Sequence, residues 1–123
     1  MKQNTNSHGS RDHVKLALSD ILPVSTSHDS GTKKVLAGQF AEPVKIKQVA
    51  VGRLEPGDDI GSHVHQDMDE YYFILEGKAM MQVQDQTYQL KKGDFILVTA
   101  GSAHRIYDIR ETLEFYYQSY EML

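Results

Sequence analysis

The sequence contains no cysteine, which removes disulfides, thiolate metal sites and cysteine nucleophiles together. It has no long apolar run: the longest are about five residues, far short of the roughly 18 that a membrane span requires. It has no basic stripe. The 13 Lys and Arg are scattered among 17 Asp and Glu for a formal charge of −4, so nucleic acid is not an expected partner. The opening residues, Met1 to Asp12, lack the apolar core of a secretory leader. A soluble, cytoplasmic protein without a membrane partner is the expectation. Helical periodicity is missing too, since no segment after Phe40 sustains a 3.6-residue period with caps.

What is present fits one domain. A chain of 123 residues with 40% apolar content can bury one core and not two. Residues 1–13 are polar and predict a disordered tail, in which His8 and His13 have no ordered partners to share a metal with. Residues 14–123 form the expected single domain. Val14 to Leu22 is an apolar patch in which Ser19 or Asp20 can cap one helical turn before Pro23. Ser25 to Thr32 is a loop that puts His28 on the surface. From Lys33 onward, short apolar runs alternate with turn signals. Strands are expected over 33–40, 44–54, 70–76, 79–84, 87–90, 95–99, 104–109 and 113–117, which is the texture of a sandwich or barrel.

The stretch from Gly57 to Gly77 holds the chemistry. His63 and His65 are two apart, so on an extended strand both imidazoles point the same way. Glu70 opens the next apolar run after a polar bend, and two imidazoles with a carboxylate form a first shell for a divalent transition metal. His104 is the only histidine after His65 and begins a strand behind the turn Ala100-Gly101-Ser102. Were its strand brought beside the first, three imidazoles and one carboxylate would meet.

At these positions the sequence resembles the cupin superfamily. The first cupin motif is Gly, five residues, His-X-His, three or four residues, Glu, six residues, Gly, and Gly57, His63, His65, Glu70 and Gly77 keep that spacing. Gly93, Gly101 and His104 keep the second, with Thr99 in the usual place of Pro and Asp108 in that of Asn. The resemblance implies an all-β cupin-type β-barrel, a jelly roll or double-stranded β-helix, with a short N-terminal extension. It also implies a divalent transition metal (Fe, Mn, Ni or Zn) held by His63, His65, Glu70 and His104.

Parity extends the site. Tyr72 and Ile74 share the face of Glu70, and Ile106 and Asp108 that of His104. Tyr72 is a candidate catalytic acid or base beside the metal. The expected lining is Tyr72, Ile74, Gln82 or Met81, Phe95 or Ile96, and Ile106, with Arg53 a candidate anion anchor at the mouth. Tyr71, Phe73 and Leu75 face outward, an apolar row that predicts a homodimer. A metalloenzyme acting on a small polar molecule, of the dioxygenase or the isomerase and epimerase type, is the leading functional reading. A metal-containing module that binds a small molecule without chemistry is the alternative, and a storage role comes third.

Overall fold

The computed structural model of the chain describes residues 11–37 and 43–123. Along them run nine strands: β1 (Val14–Ala17), β2 (Val24–Ser25), β3 (Thr32–Lys33), β4 (Val44–Leu54), β5 (Ile60–His63), β6 (Asp69–Val83), β7 (Gln86–Leu90), β8 (Asp94–Val98) and β9 (His104–Met122). No helix among these residues is long and apolar enough to cross a membrane.

Two long strands, β6 and β9, carry the architecture. They pair with each other from Asp69↔Tyr120 to Val83↔His104, with register shifts at Ile74/Glu76, Glu76/Lys78 and Lys78/Met80. Their first and last portions lie in one layer, ordered β1-β8-β6-β9-β4, while β7 extends the other half of β6 and β5 the start of β9. The result is an all-β jelly roll. Four expected strands are therefore two: 70–76 joins 79–84, and 104–109 joins 113–117. Gly77 explains the first union. It turns the strand at φ +97°, and a Cβ there would collide with the Thr112 carbonyl oxygen, so β6 bends against β9 without breaking the ladder.

Asp108 explains the second union and corrects an expectation. Its φ is +50°, a region that Asn and Asp enter more readily than other side chains, so it can stand where the family carries Asn. The irregularity breaks the alternation. Asp108 is exposed and bonded to Arg110, and Ile109 is buried in its stead.

The alternation also slips by one at Gly77, so that Tyr72 and Ile74 before it and Met81 and Val83 after it all face inward. Tyr72, Ile74, Met81, Val83, Ile96, Ile106, Leu113 and Phe115 pack into one cluster between the two layers. Each large aliphatic side chain buried there contributes about 1.5–3 kcal/mol relative to leaving it in water. Phe95 faces the other way, its ring 5.5 Å from that of Tyr71. The outward row of Tyr71, Phe73 and Leu75 is half-buried. Residues 33–37 share a hollow with Tyr71 and Phe95, and residues 17–19 share another with Phe73 and Leu75.

The N-terminal expectations need correction. Val14–Ala17 forms a strand paired with β8, and the single turn that follows (Leu18–Asp20) has Ala17 at its N-cap without a side-chain bond, so neither Ser19 nor Asp20 caps it. The Leu18 N–H instead donates to the Gly93 carbonyl at 2.8 Å. The strand expected over 33–40 ends at Lys33, where β3 pairs only with β2. Residues 34–37 lie against the outer face unpaired, and 38–40 fall outside the described residues. Of the expected tail, residues 1–10 also fall outside them. Arg11 and His13 are docked by side-chain bonds, His13 Nε2 to the Tyr88 hydroxyl at 2.6 Å.

Candidate metal centre

Four elements converge at one end of the interior. His63 ends β5 and His104 opens β9, directly opposite each other in the ladder. His65 follows on the connecting bend, and Glu70 enters from β6, where its neighbours are Val98 and Ser119. One ligand atom from each of the four lies within 4.8 Å of the others. A divalent ion with ligands at about 2.1 Å spaces opposite ligands about 4.2 Å apart and neighbouring ones about 3.0 Å apart, so the four groups would draw closer together around an ion. The structure thus brings together all four residues expected from the sequence.

Hydrogen bonds fix which nitrogens point inward. His104 Nδ1 lies 2.9 Å from the Ser102 carbonyl and His63 Nδ1 lies 3.0 Å from the Gly61 carbonyl. A carbonyl only accepts, so each Nδ1 carries a proton and, in the neutral ring, each Nε2 the lone pair. His104 Nε2 is buried and has no hydrogen-bond partner. The nearest carboxylate atom, Glu70 Oε1, stands 3.5 Å away, at the limit of hydrogen-bonding distance, and 3.7 Å from His65 Nε2. An unmade hydrogen bond on a buried nitrogen costs about 1–3 kcal/mol, and a metal ion is the partner that this donor set suits.

Glu70 is prepared for the same role. Burial opposes its charge, but a protonated His104, the Tyr72 hydroxyl and a protonated His65 outweigh that cost and hold the carboxyl below its ordinary value. Tyr72 donates to Glu70 Oε1 at 2.8 Å. Burial first, and the Glu70 carboxylate after it, push the Tyr72 phenol far above its ordinary value. It stays protonated, which suits a donor that orients Glu70 and not a base.

The cleft in front of the centre has a volume of about 270 Å³ and is lined by Gly52, Arg53, Leu54, Ile60, His63, Glu70, Tyr72, Phe115 and Tyr117. Tyr72 and Arg53 were expected there. Ile74, Met81, Ile96 and Ile106 are instead sealed in the core, Phe95 lies on the outer face, and Gln82 reaches the Gln84 carbonyl. Arg53 pairs in register with Glu114, and its guanidinium is already bonded to Glu55 at 3.0 Å and Glu114 at 2.9 Å. It is not a free anion anchor. Phe115 and Tyr117 escaped the sequence reading because their place depends on the long-range pairing of β9 with β4 and β6. The signal available was the alternation Leu113, Phe115, Tyr117.

A support network also went unread. Arg11 Nη2 donates to both oxygens of the buried Asp69, at 2.5 Å each, and the Ala100 N–H donates to Asp69 Oδ1 at 2.9 Å. The Thr99 hydroxyl donates to the Arg11 carbonyl at 2.6 Å, which ties down a turn where the family carries a rigid Pro. The Gly101 N–H holds the His65 carbonyl at 2.8 Å. The 99–102 turn therefore links the N-terminal segment to two of the four candidate ligands.

Comparison with known proteins agrees with this geometry. A family model for the cupin domain matches residues 50–115. The chain is 32% identical over 103 residues to an oxalate-binding protein of Thermotoga maritima, covering 79% of this chain and 85% of that one. It is 29% identical over 97 residues to the tetracenomycin polyketide synthase protein TcmJ of Streptomyces glaucescens, covering 76% of this chain and 61% of the relative's length. The crystal structure of a predicted oxalate decarboxylase from Thermotoga maritima has the same fold, with a TM-score of 0.59 at 23% identity over 88% of this chain and 99% of that one.

Removing the Arg11 guanidinium strips a buried carboxylate of its charged donor. Arg11→Ala should lower the free energy of unfolding in urea by about 1.5–3 kcal/mol, the range for a hydrogen bond to a charged group. An unchanged midpoint and slope would show that the pair contributes nothing to the fold.

Proposed function

The chain belongs to the cupin family, and on that premise we propose that it is a divalent-metal enzyme acting on a small polar molecule, of the dioxygenase or the isomerase and epimerase type. One observation carries the reading: the buried, unpartnered Nε2 of His104 faces Glu70, with the His63 and His65 imidazoles beside it, at the inner end of an open cleft. His63, His65 and His104 would hold the ion through nitrogen and Glu70 through oxygen, which leaves positions for an incoming ligand on a six-coordinate metal. When bound, Fe, Mn, Ni or Zn would supply Lewis-acid or, for the redox-active ions, one-electron chemistry. Tyr72 keeps Glu70 oriented, and the aromatic lining limits water around the bound substrate.

The alternative reading, a non-catalytic metal-containing binding module, draws support from Tyr72. Held as a donor to Glu70, it leaves the cleft without a free acid or base among the described residues, and one relative is named for binding oxalate. Turnover separates the two readings. Protein stripped of metal and reloaded with Fe(II), Mn(II), Ni(II) or Zn(II) is screened for O2 uptake on catechol-, thiol- and β-diketone-type substrates and for sugar-phosphate isomerisation. The enzyme reading expects activity with at least one ion, lowered more than about 100-fold in His104→Ala, because even residues behind a ligand are worth 10–100-fold. No turnover above that variant with any ion, together with a metabolite retained through purification, would favour the binding module.

The homodimer belongs to the same proposal. Val49 and Val51 on β4 are 54% and 63% exposed and face Gln118 and Tyr116 in register, beside Tyr71 and Phe73 on the outer face. A second copy would cover this surface. Light scattering at micromolar concentration should give twice the chain mass, and a monomer would overturn this part.

A further inference from the structure

The lining of the cleft narrows the ligand class. We propose that the cleft takes a small, flat, aromatic or conjugated molecule that presents its oxygens to the metal, and that it discriminates against phosphorylated and dicarboxylate ligands. The inference rests on the metal-site reading above.

Three observations carry it. The first is the wall. Tyr72, Phe115 and Tyr117 form a triangle with ring centroids 5.6, 5.7 and 5.9 Å apart, and Tyr72 and Tyr117 are inclined by only 27°. Such separations suit ring-on-ring contact, and Leu54 and Ile60 add aliphatic surface to the same lining. The second is size. The volume of about 270 Å³ exceeds the roughly 150 Å³ cavity that accepts benzene and falls below the usual range of about 300–1,000 Å³ for larger ligands. One substituted ring fits.

The third is charge. Among the described residues Arg53 is the only Lys or Arg lining the cleft, and two carboxylates already engage its guanidinium. A divalent ion offset by the Glu70 carboxylate leaves one positive charge at the inner end. It welcomes one anionic oxygen, whereas a phosphate or second carboxylate further out would meet aromatic carbon and lose its hydration unpaired.

Gly52 sets the position of the wall. It faces Phe115 across the β4–β9 ladder, and a Cβ added there would stand 2.6 and 2.7 Å from two atoms of the Phe115 ring. The ring lies where it does because Gly52 has no side chain. Gly52→Ala therefore forces the ring to move and reshapes the cleft without touching a metal ligand. Gly52 and Phe115 are specificity-determining residues of the site.

The test uses the whole chain loaded with Co(II) in the absence of air. Metal uptake is measured first, by stoichiometry and visible spectrum, and binding of catechol, succinate, ribose 5-phosphate and azide is then followed by the change in that spectrum. Catechol should bind at least about tenfold more tightly than succinate or ribose 5-phosphate, the scale of one well-made aromatic contact. Gly52→Ala should weaken catechol by a similar factor while leaving Co(II) uptake and azide, too small to reach the wall, unchanged. Tyr117→Leu, at a half-exposed position, should do the same and serves if Gly52→Ala folds poorly. Equal or tighter binding of succinate or the sugar phosphate, or catechol binding indifferent to both substitutions, would overturn the inference while the metal site stands. Failure to take up Co(II) would overturn the metal-site reading and this inference with it.

Discussion

A buried imidazole nitrogen without a hydrogen-bond partner sets the terms for this structure. His104 Nε2 sits inside the protein with Glu70 Oε1 at 3.5 Å, at the edge of hydrogen-bonding range. Such an atom is expensive to keep, and the surroundings preserve the arrangement. Carbonyls hold the far nitrogens of His104 and His63, Tyr72 holds Glu70, and the 99–102 turn grips the His65 backbone. Each of these bonds costs freedom and directs a lone pair toward one point. The arrangement makes physical sense when an ion completes it.

The fold serves that convergence. Glu70 and His104 sit on portions of β6 and β9 that are far apart along the ladder, since Glu70 is opposite Ser119 while His104 is opposite Val83. The register shifts around Gly77 and the positive φ at Gly77 and Asp108 mark where the strands bend between these portions. The corners, the shared core and the ligand geometry are thus one constraint. A change that straightened β6 would separate the carboxylate from the imidazoles even with every ligand still present.

How much of this was legible follows from where each signal resides. The cluster was readable because His63, His65 and Glu70 are close in sequence, their parity is fixed by the strand, and His104 has a second set of spacings around it. The inward face of β6 was readable for the same reason, as Tyr72 and Ile74 show. The failures share a cause. Asp108 was placed inward because alternation assumes a regular strand, and one positive φ undid it. Arg53 was offered as an anion anchor because its partner Glu114 is distant in sequence. Arg11, Asp69, Thr99, Phe115 and Tyr117 act through contacts across the fold that no local pattern encodes. The departure of Thr99 from the family's Pro was the one visible hint of the N-terminal clamp.

The claim on which everything else depends is that one divalent ion is held by three imidazoles and one carboxylate. X-ray absorption at the metal edge of the Co(II)-loaded protein tests it directly. The account predicts one ion per chain with three imidazole ligands and oxygen in the remaining positions, and the loss of one imidazole in His104→Ala. A shell with fewer than three imidazoles, or one that His104→Ala leaves unchanged, would contradict it.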